Sequence, residues 1–236
     1  MFSRICFLAV VCLALSFKPP HDFDCPKLPE RAPATKITDL HPQDIKIVMA
    51  LGDSVTAGFG VGDLPIEYRG KSFAMGGEDK ISTIPNYLRV FNPDLIGYST
   101  SWHDPEFPGD AYHKKDHLNC AQTEAKITDV IEVQVSHLIN QLKSDPKIDF
   151  ENDWKILTQF IVANDLCEWC NNNATVESLL ANVDRIITQV QAQIPKVFMQ
   201  MLYMGNMSNL ADIDRKRWRC VAEHDVIPEC SCVFHS

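Results

Sequence analysis

The sequence contains no apolar run long enough to cross a membrane. The longest such run, Ile5 to Leu15, has eleven residues, whereas a spanning helix needs about 20. It follows Arg4 and ends in Ala14-Leu15-Ser16, which puts small residues at the −3 and −1 positions of a signal-peptidase site. These features predict a signal peptide over residues 1–16. We therefore expect a secreted, extracellular protein without a transmembrane span.

Long basic runs are also absent. The chain has 22 Lys and Arg against 31 Asp and Glu, a formal net charge of −9 at pH 7. An acidic chain of this kind is a poor candidate for nucleic-acid binding. The sequence also lacks internal repeats, and residues 17–236 are enough for one sizeable domain.

Cysteine is plentiful, and seven of the nine residues follow the predicted signal. In an oxidising compartment most should pair, although the odd number leaves one without a partner. The Cys167-Glu168-Trp169-Cys170 segment has the spacing of a redox motif, and with Cys230 and Cys232 it could imitate a zinc site. We favour structural disulfides and predict no metal site. Asn173 and Asn206 begin glycosylation sequons.

The chain divides into a proline-rich, irregular lead-in over residues 17–44 and one domain over residues 45–236. Apolar runs typical of buried strands alternate in this domain with amphipathic helical patterns, the last of which has Thr175 as a candidate N-cap. The strands are expected at 45–51, 154–162 and 196–204, and the helices at 82–91, 127–142 and 175–194. This order predicts an α/β fold, a three-layer αβα arrangement with a largely parallel sheet.

Two polar residues follow predicted strands. Ser54 lies in the segment Leu51-Gly52-Asp53-Ser54, just past the first strand, and Asn164 follows the second. Ligand sites of open parallel sheets lie at the carboxyl ends of the strands. Ser54 is thus a candidate nucleophile, with helix capping as the alternative; Asn164 and Asp165 could also form an ordinary turn.

Several segments, in this order, resemble the GDSL (SGNH) hydrolases and within them the phospholipase B group. The resemblance covers about residues 37 to 232. Its segments are 39–46, 51–58, Tyr68-Arg69-Gly70-Lys71-Ser72, Gly76-Gly77, 88–93, Asp153-Trp154-Lys155 and Asn164-Asp165-Leu166-Cys167.

The resemblance implies serine-dependent hydrolysis of a phospholipid or other lipid ester without a cofactor. Ser54 would attack the acyl carbonyl, and the side-chain amide of Asn164 would donate to the oxyanion. Both roles are physically sensible, because a serine needs a base to lose its proton and a tetrahedral oxyanion needs preorganised donors, each worth about 3–4 kcal/mol.

The sequence departs from the family pattern at two oxyanion-hole positions. Glu124 stands where the family has a glycine whose backbone N–H joins the oxyanion hole, and Val162 replaces the glycine of a Gly-x-Asn-Asp pattern. A carboxylate at position 124 would oppose a developing anion if it pointed inward. Valine at position 162 adds bulk that would narrow the pocket.

The family's general base and its orienting acid belong to a late Asp-x-x-His segment, which nothing after Met204 matches. Asp110 and His113 have this spacing but precede Asn164 in an irregular loop, and His235 has Cys232 in the aspartate position. We therefore expect a C-terminally incomplete domain, inactive as given. The alternative to a hydrolase is a non-catalytic secreted binding protein or a truncated isoform.

Overall fold

A computed structural model describes residues 17–20, 23, 25–171, 174–212 and 230–234. The predicted signal peptide, Asn173 and His235 lie outside these residues. No helix in the described part of the chain is long and apolar enough to cross a membrane.

Three parallel strands form the sheet, in the order β1 (Ile45–Gly52), β2 (Trp154–Phe160) and β3 (Val197–Leu202). All residues of β1 are buried except Lys46, as is typical of a strand covered on both faces. Two parallel bridges, Ile47 to Ile96 and Ala50 to Asn119, extend pairing to the other side of β1. β2 is therefore the middle strand of the three, and β1 is paired on both of its sides.

The helices follow the predicted alternation with the strands. They are α1 (Ser54–Ala57), α2 (Ile84–Phe91), α3 (Ile127–Asp129), α4 (Val135–Ser144), α5 (Ala163–Cys167), α6 (Val176–Gln193) and α7 (Ser231–Phe234), and a π-helical turn (Val130–Gln134) joins α3 to α4. Short 3₁₀ turns lie at Ile37–Asp39, Pro42–Asp44, Arg69–Lys71, Lys114–Asp116 and Met207–Asp212. The α/β class with a parallel sheet is confirmed.

Local signals in the sequence explain several helix ends. The Thr175 side chain accepts a hydrogen bond from the backbone N–H of Ser178, which confirms the predicted N-cap of α6, and Thr83 caps α2 through the N–H of Asn86. The lead-in is tied to the core, because the Trp154 indole N–H donates to the carbonyl of Ala34 at 2.8 Å. The core itself consists of β1, β2 and the apolar faces of α3, α4 and α6.

Candidate functional site

The site is organised by the end of β1, where three chain segments meet at Gly52. Gly52 pairs with Phe160 at the end of β2, and a Cβ at this position would lie 2.5 Å from the Phe160 carbonyl oxygen and 2.4 Å from the Thr56 hydroxyl. The Gln134 side chain accepts from the Gly52 N–H at 2.9 Å and donates to its carbonyl at 2.8 Å. Glycine is therefore needed here for close approach.

Gln134 holds Gly52 in place, and the sequence did not identify it. It is fully buried and belongs to the π-helical turn, which replaces the uninterrupted helix predicted over residues 127–142. Such turns often occur at functional sites. One feature of the sequence could have indicated the role of Gln134: it is a polar residue within the apolar face of the predicted helix.

Ser54 is the first residue of α1 and is half-buried. The preceding Asp53 caps the helix by accepting from the N–H of Val55 at 3.0 Å, and Gly58 ends it with a φ of 88°. Within the described residues, the Ser54 hydroxyl has no side-chain hydrogen-bond partner. Ser54 thus lies just past the end of β1, and no base contacts it in that part of the chain.

Asp53 is a fully buried carboxyl whose Oδ2 has no hydrogen-bond partner among the described residues. Burial, against the lowering effect of the Val55 N–H and with a smaller contribution from the negative charge of Asp165, raises the pKa of Asp53 to about 6. Asp53 is therefore a buried capping residue whose charged form is disfavoured.

The segment carrying Glu124 runs beside β1. Ala50 donates to the Leu118 carbonyl and accepts from the Cys120 N–H, and the Gln122 N–H donates to the carbonyl of Gly52 at 3.2 Å. Glu124 has a φ of 67°, and its side chain is exposed. The left-handed backbone is the conformation that glycine adopts at least cost. Among the described residues, the Glu124 N–H donates to no acceptor.

Val162 and Asn164 follow β2. Val162 has a φ of 101°, a rare conformation for a β-branched residue, and precedes α5. The Asn164 side-chain amide donates to the carbonyl of Ala125 at 2.9 Å, and the Asp165 carboxylate accepts from the Ile127 N–H at 3.1 Å. The beginning of α5 is thus joined to the segment that carries Glu124.

These contacts bring the strand ends and the Glu124 segment to one edge of the sheet. The Gln122 N–H bonds to Gly52, Gly52 pairs with Phe160, and Asn164 bonds to Ala125. This edge offers three kinds of donor: the amide N–H at the start of α1, an uncommitted N–H at Glu124, and the Asn164 side chain. Donors of these kinds stabilise the oxyanion of an acyl-transfer reaction where they point at it.

Two disulfides fix the chain just after Asn164. Cys167 bonds to Cys230, and Cys170 bonds to Cys232, so the two cysteines of the redox-like spacing pair with distant partners. They are structural, as the sequence suggested. Of the other described cysteines, Cys25 is exposed and Cys120 is buried, and both are free.

Asp110 and His113 do not approach Ser54 in the described structure. The His113 ring bonds to the Glu106 carboxylate and stacks on His103 with ring centroids 4.0 Å apart. A cavity of about 840 Å³ has both Asp110 and His113 in its wall, together with Tyr98, Tyr112, His137 and Lys147, but neither Ser54 nor Asn164. The cavity is therefore separate from the serine site.

Comparisons with known proteins agree with the geometry. Residues 48–217 match the family of GDSL-like lipases and acylhydrolases. The chain is 34% identical over 233 residues to mouse membrane-associated phospholipase B1, 33% identical over 223 residues to the human protein and 32% identical over 220 residues to the rat protein. These matches cover 93%, 89% and 88% of the chain but 15% of each relative. No solved structure matches the chain.

Replacing Glu124 with glycine should stabilise the fold by about 0.5–1 kcal/mol, because relief of the left-handed backbone exceeds the entropy that glycine loses on folding. Lys36→Gly is the matched control, since Lys36 is exposed and has a φ of −132°. Urea denaturation should show this control to be less stable than the parent chain. Equal destabilisation by both substitutions would contradict the backbone argument.

The Asp53→Asn variant should gain stability over the parent chain as the pH rises from 4 to 7, because the parent loses stability over this range. Because the folded pKa of Asp53, about 6, exceeds that of an unfolded aspartate, the folded parent binds more protons in this window and loses stability as the pH rises. The difference in unfolding free energy should grow by about 2–3 kcal/mol. A difference independent of pH, measured by urea denaturation, would contradict the assignment.

Proposed function

Because the chain belongs to the GDSL-like lipase and acylhydrolase family, we propose that it carries a lipid-ester hydrolase site with Ser54 as the nucleophile. The observation that carries the proposal is the joining of the Ser54, Glu124 and Asn164 segments at one sheet edge. The Ser54 hydroxyl attacks the acyl carbonyl and gives its proton to a base, which no described residue supplies at Ser54, and the oxyanion receives hydrogen bonds from the amides of Ser54 and Glu124 and from the side chain of Asn164. The oxyanion then expels the alcohol, which takes up a proton, and water hydrolyses the acyl group from Ser54.

The replaced glycines are compatible with this role. A backbone N–H can donate whatever side chain its residue bears, and Glu124 keeps the left-handed φ of 67°. Its carboxylate is exposed, which reduces its repulsion of a developing anion. Val162 packs partly against the core, so its bulk is partly taken up there.

Exposed apolar side chains in the segment that follows Ser54 support lipid esters as the substrate class. Val55, Val61 and Leu64 follow Ser54 in the sequence and are each about half exposed, at 46%, 54% and 47%. Exposed apolar side chains offer a surface on which an acyl chain could pack. The similar proteins are named phospholipases B1, and phospholipids are the substrates we propose.

A second candidate function is lipid binding without turnover. It is favoured by the absence, within the described ranges, of any base at the Ser54 hydroxyl. His103 and His113 are held by Asp116 and Glu106 instead. General-base assistance is worth about 10²–10⁴-fold, so a chain without it would retain little hydrolysis.

We propose that the protein acts outside the cell. Two disulfides are typical of an oxidising compartment, and the exposed Asn206 would be accessible to glycosylation. N-terminal sequencing of protein from the culture medium should show Phe17 as the first residue. Treatment with a glycosidase should increase the gel mobility of the protein if Asn173 or Asn206 is glycosylated. Recovery of Met1 in the medium would contradict signal cleavage.

The function is tested by comparing the chain with its Ser54→Ala variant on nitrophenyl butyrate and on phosphatidylcholine vesicles. Without added base we expect equal rates, because no base contacts Ser54. Imidazole, a soluble base, should then produce hydrolysis that requires Ser54, above the imidazole background measured with Ser54→Ala. Ser136→Ala, which alters an exposed serine on α4, should behave like the parent chain.

The outcomes separate the two functions. Hydrolysis that depends on Ser54 without imidazole would support the hydrolase and show that the chain contains a base. If no Ser54-dependent rate occurs at any imidazole concentration while vesicles still bind, the hydrolase proposal is wrong and the binding function stands.

A further inference from the structure

A second cluster of reactive side chains lies in the loop over residues 98–120, outside the serine site. It consists of His103, Glu106, His113 and Asp116, and one nitrogen or oxygen atom from each lies within 4.8 Å of those from the other three. We call these four residues the histidine–carboxylate cluster. The sequence analysis predicted no metal site, and it considered a zinc site only at the cysteines.

Backbone contacts hold the cluster in place. His103 and Glu67 exchange two backbone hydrogen bonds of 3.0 and 3.1 Å. The backbone N–H of His113 donates to the carboxylates of Glu106, at 2.6 Å, and Asp116, at 3.1 Å. These hydrogen bonds therefore hold the four side chains close together.

The two oxygen atoms beside the His103 ring favour a bound proton or a bound metal ion at this histidine. Its Nδ1 lies 2.6 Å from the carbonyl oxygen of Asp104, and its Nε2 lies 2.8 Å from the Asp116 carboxylate. A neutral imidazole has one N–H, so it can donate to only one of these oxygens. The other nitrogen then has its lone pair beside an oxygen, unless it binds a proton or a metal ion.

The local charge count leads to the same conclusion. Glu67, Glu106 and Asp116 have side chains no more than 5% exposed, and the buried Arg69 guanidinium contacts all three at 2.7, 3.3 and 3.6 Å. Three ionised carboxylates and one guanidinium leave two negative charges, and buried charges need partners. Protonating both histidines would supply two positive charges but would stack them face to face. One divalent ion bound by neutral imidazoles avoids that repulsion.

The donors identify the class of ion. Two imidazole nitrogens and two carboxylate oxygens suit zinc and similar first-row ions, whereas calcium and magnesium prefer oxygen donors alone. An entry path exists, because the His113 side chain is 57% exposed and lines the cavity described above. Its exposure also lets the ring turn out of its stack on His103 to direct a lone pair at the ion.

We propose that the histidine–carboxylate cluster binds one divalent transition-metal ion, with zinc as the best match to its donors. Glu67 lies outside the four ligands, with Oε2 3.7 Å from His103 Nδ1, and its Oε1 accepts from the Thr123 hydroxyl at 2.6 Å. Arg69 also donates to the Asn119 carbonyl at 3.3 Å. The ion would therefore stabilise the packing of the loop that carries the cluster on the segment that contains Asn119 and Thr123. This role does not require hydrolysis at Ser54.

Calorimetric titration of the untagged, chelator-treated chain with zinc chloride tests the proposal. The chain should bind one zinc ion and should bind calcium far more weakly. His103→Gln combined with His113→Gln should weaken zinc binding by about 10²-fold or more. The matched control, His41→Gln with His117→Gln, removes two exposed histidines outside the cluster and should bind like the parent. Failure of the parent to bind zinc, or equal binding by all three proteins, would overturn the proposal.

A second measurement applies even if the double variant fails to fold. In the ¹⁵N-histidine-labelled parent, zinc should shift the imidazole resonances of two of the eight histidines, assigned as His103 and His113. Cobalt in place of zinc should give visible absorption bands without the near-ultraviolet band of a thiolate ligand. Zinc-induced shifts at other histidines only, or a thiolate band, would place the ion elsewhere and contradict the proposal.

Discussion

The close approach of three segments at Gly52 is the constraint on which the serine site depends. Only a residue without Cβ allows Thr56 and the Phe160 carbonyl to come as near as they do. The Gln134 side chain then holds both polar groups of the Gly52 backbone inside the core. The same residue thus joins β1 to β2, to the π-helical turn and to the segment leading to Glu124. The serine follows this junction by two residues, so its placement is a consequence of β-sheet packing.

The backbone at Glu124 and Val162 gives the departures from the family pattern a physical meaning. Both residues have positive φ, a backbone conformation that glycine adopts at lower cost. A left-handed backbone costs each of these residues conformational energy that a glycine would not incur. The Glu124 side chain therefore does not prevent its backbone N–H from donating a hydrogen bond. What the described residues lack is a base for Ser54.

The sequence predicted the regular elements well because each has a local signal. Continuous apolar runs marked the strands, although β2 ends at Phe160 because Val162 has a left-handed backbone. Thr175 marked the start of α6. What sequence reasoning missed depends on distant contacts: Gln134 interrupts a helix to reach Gly52, 82 residues away, and His103 meets Asp116 through loop closure. Neither spacing has a period from which proximity could be derived.

The central claim is that the Ser54 and Glu124 amides and the Asn164 side chain form one oxyanion-binding site. A crystal structure of the chain after reaction with an alkyl fluorophosphonate, in the presence of imidazole, tests it most directly. We expect a phosphonyl group on Ser54 Oγ, with one oxygen about 2.7–3.1 Å from each of the three donor nitrogens. An adduct on Ser54 whose oxygens contact neither Glu124 nor Asn164 would contradict it.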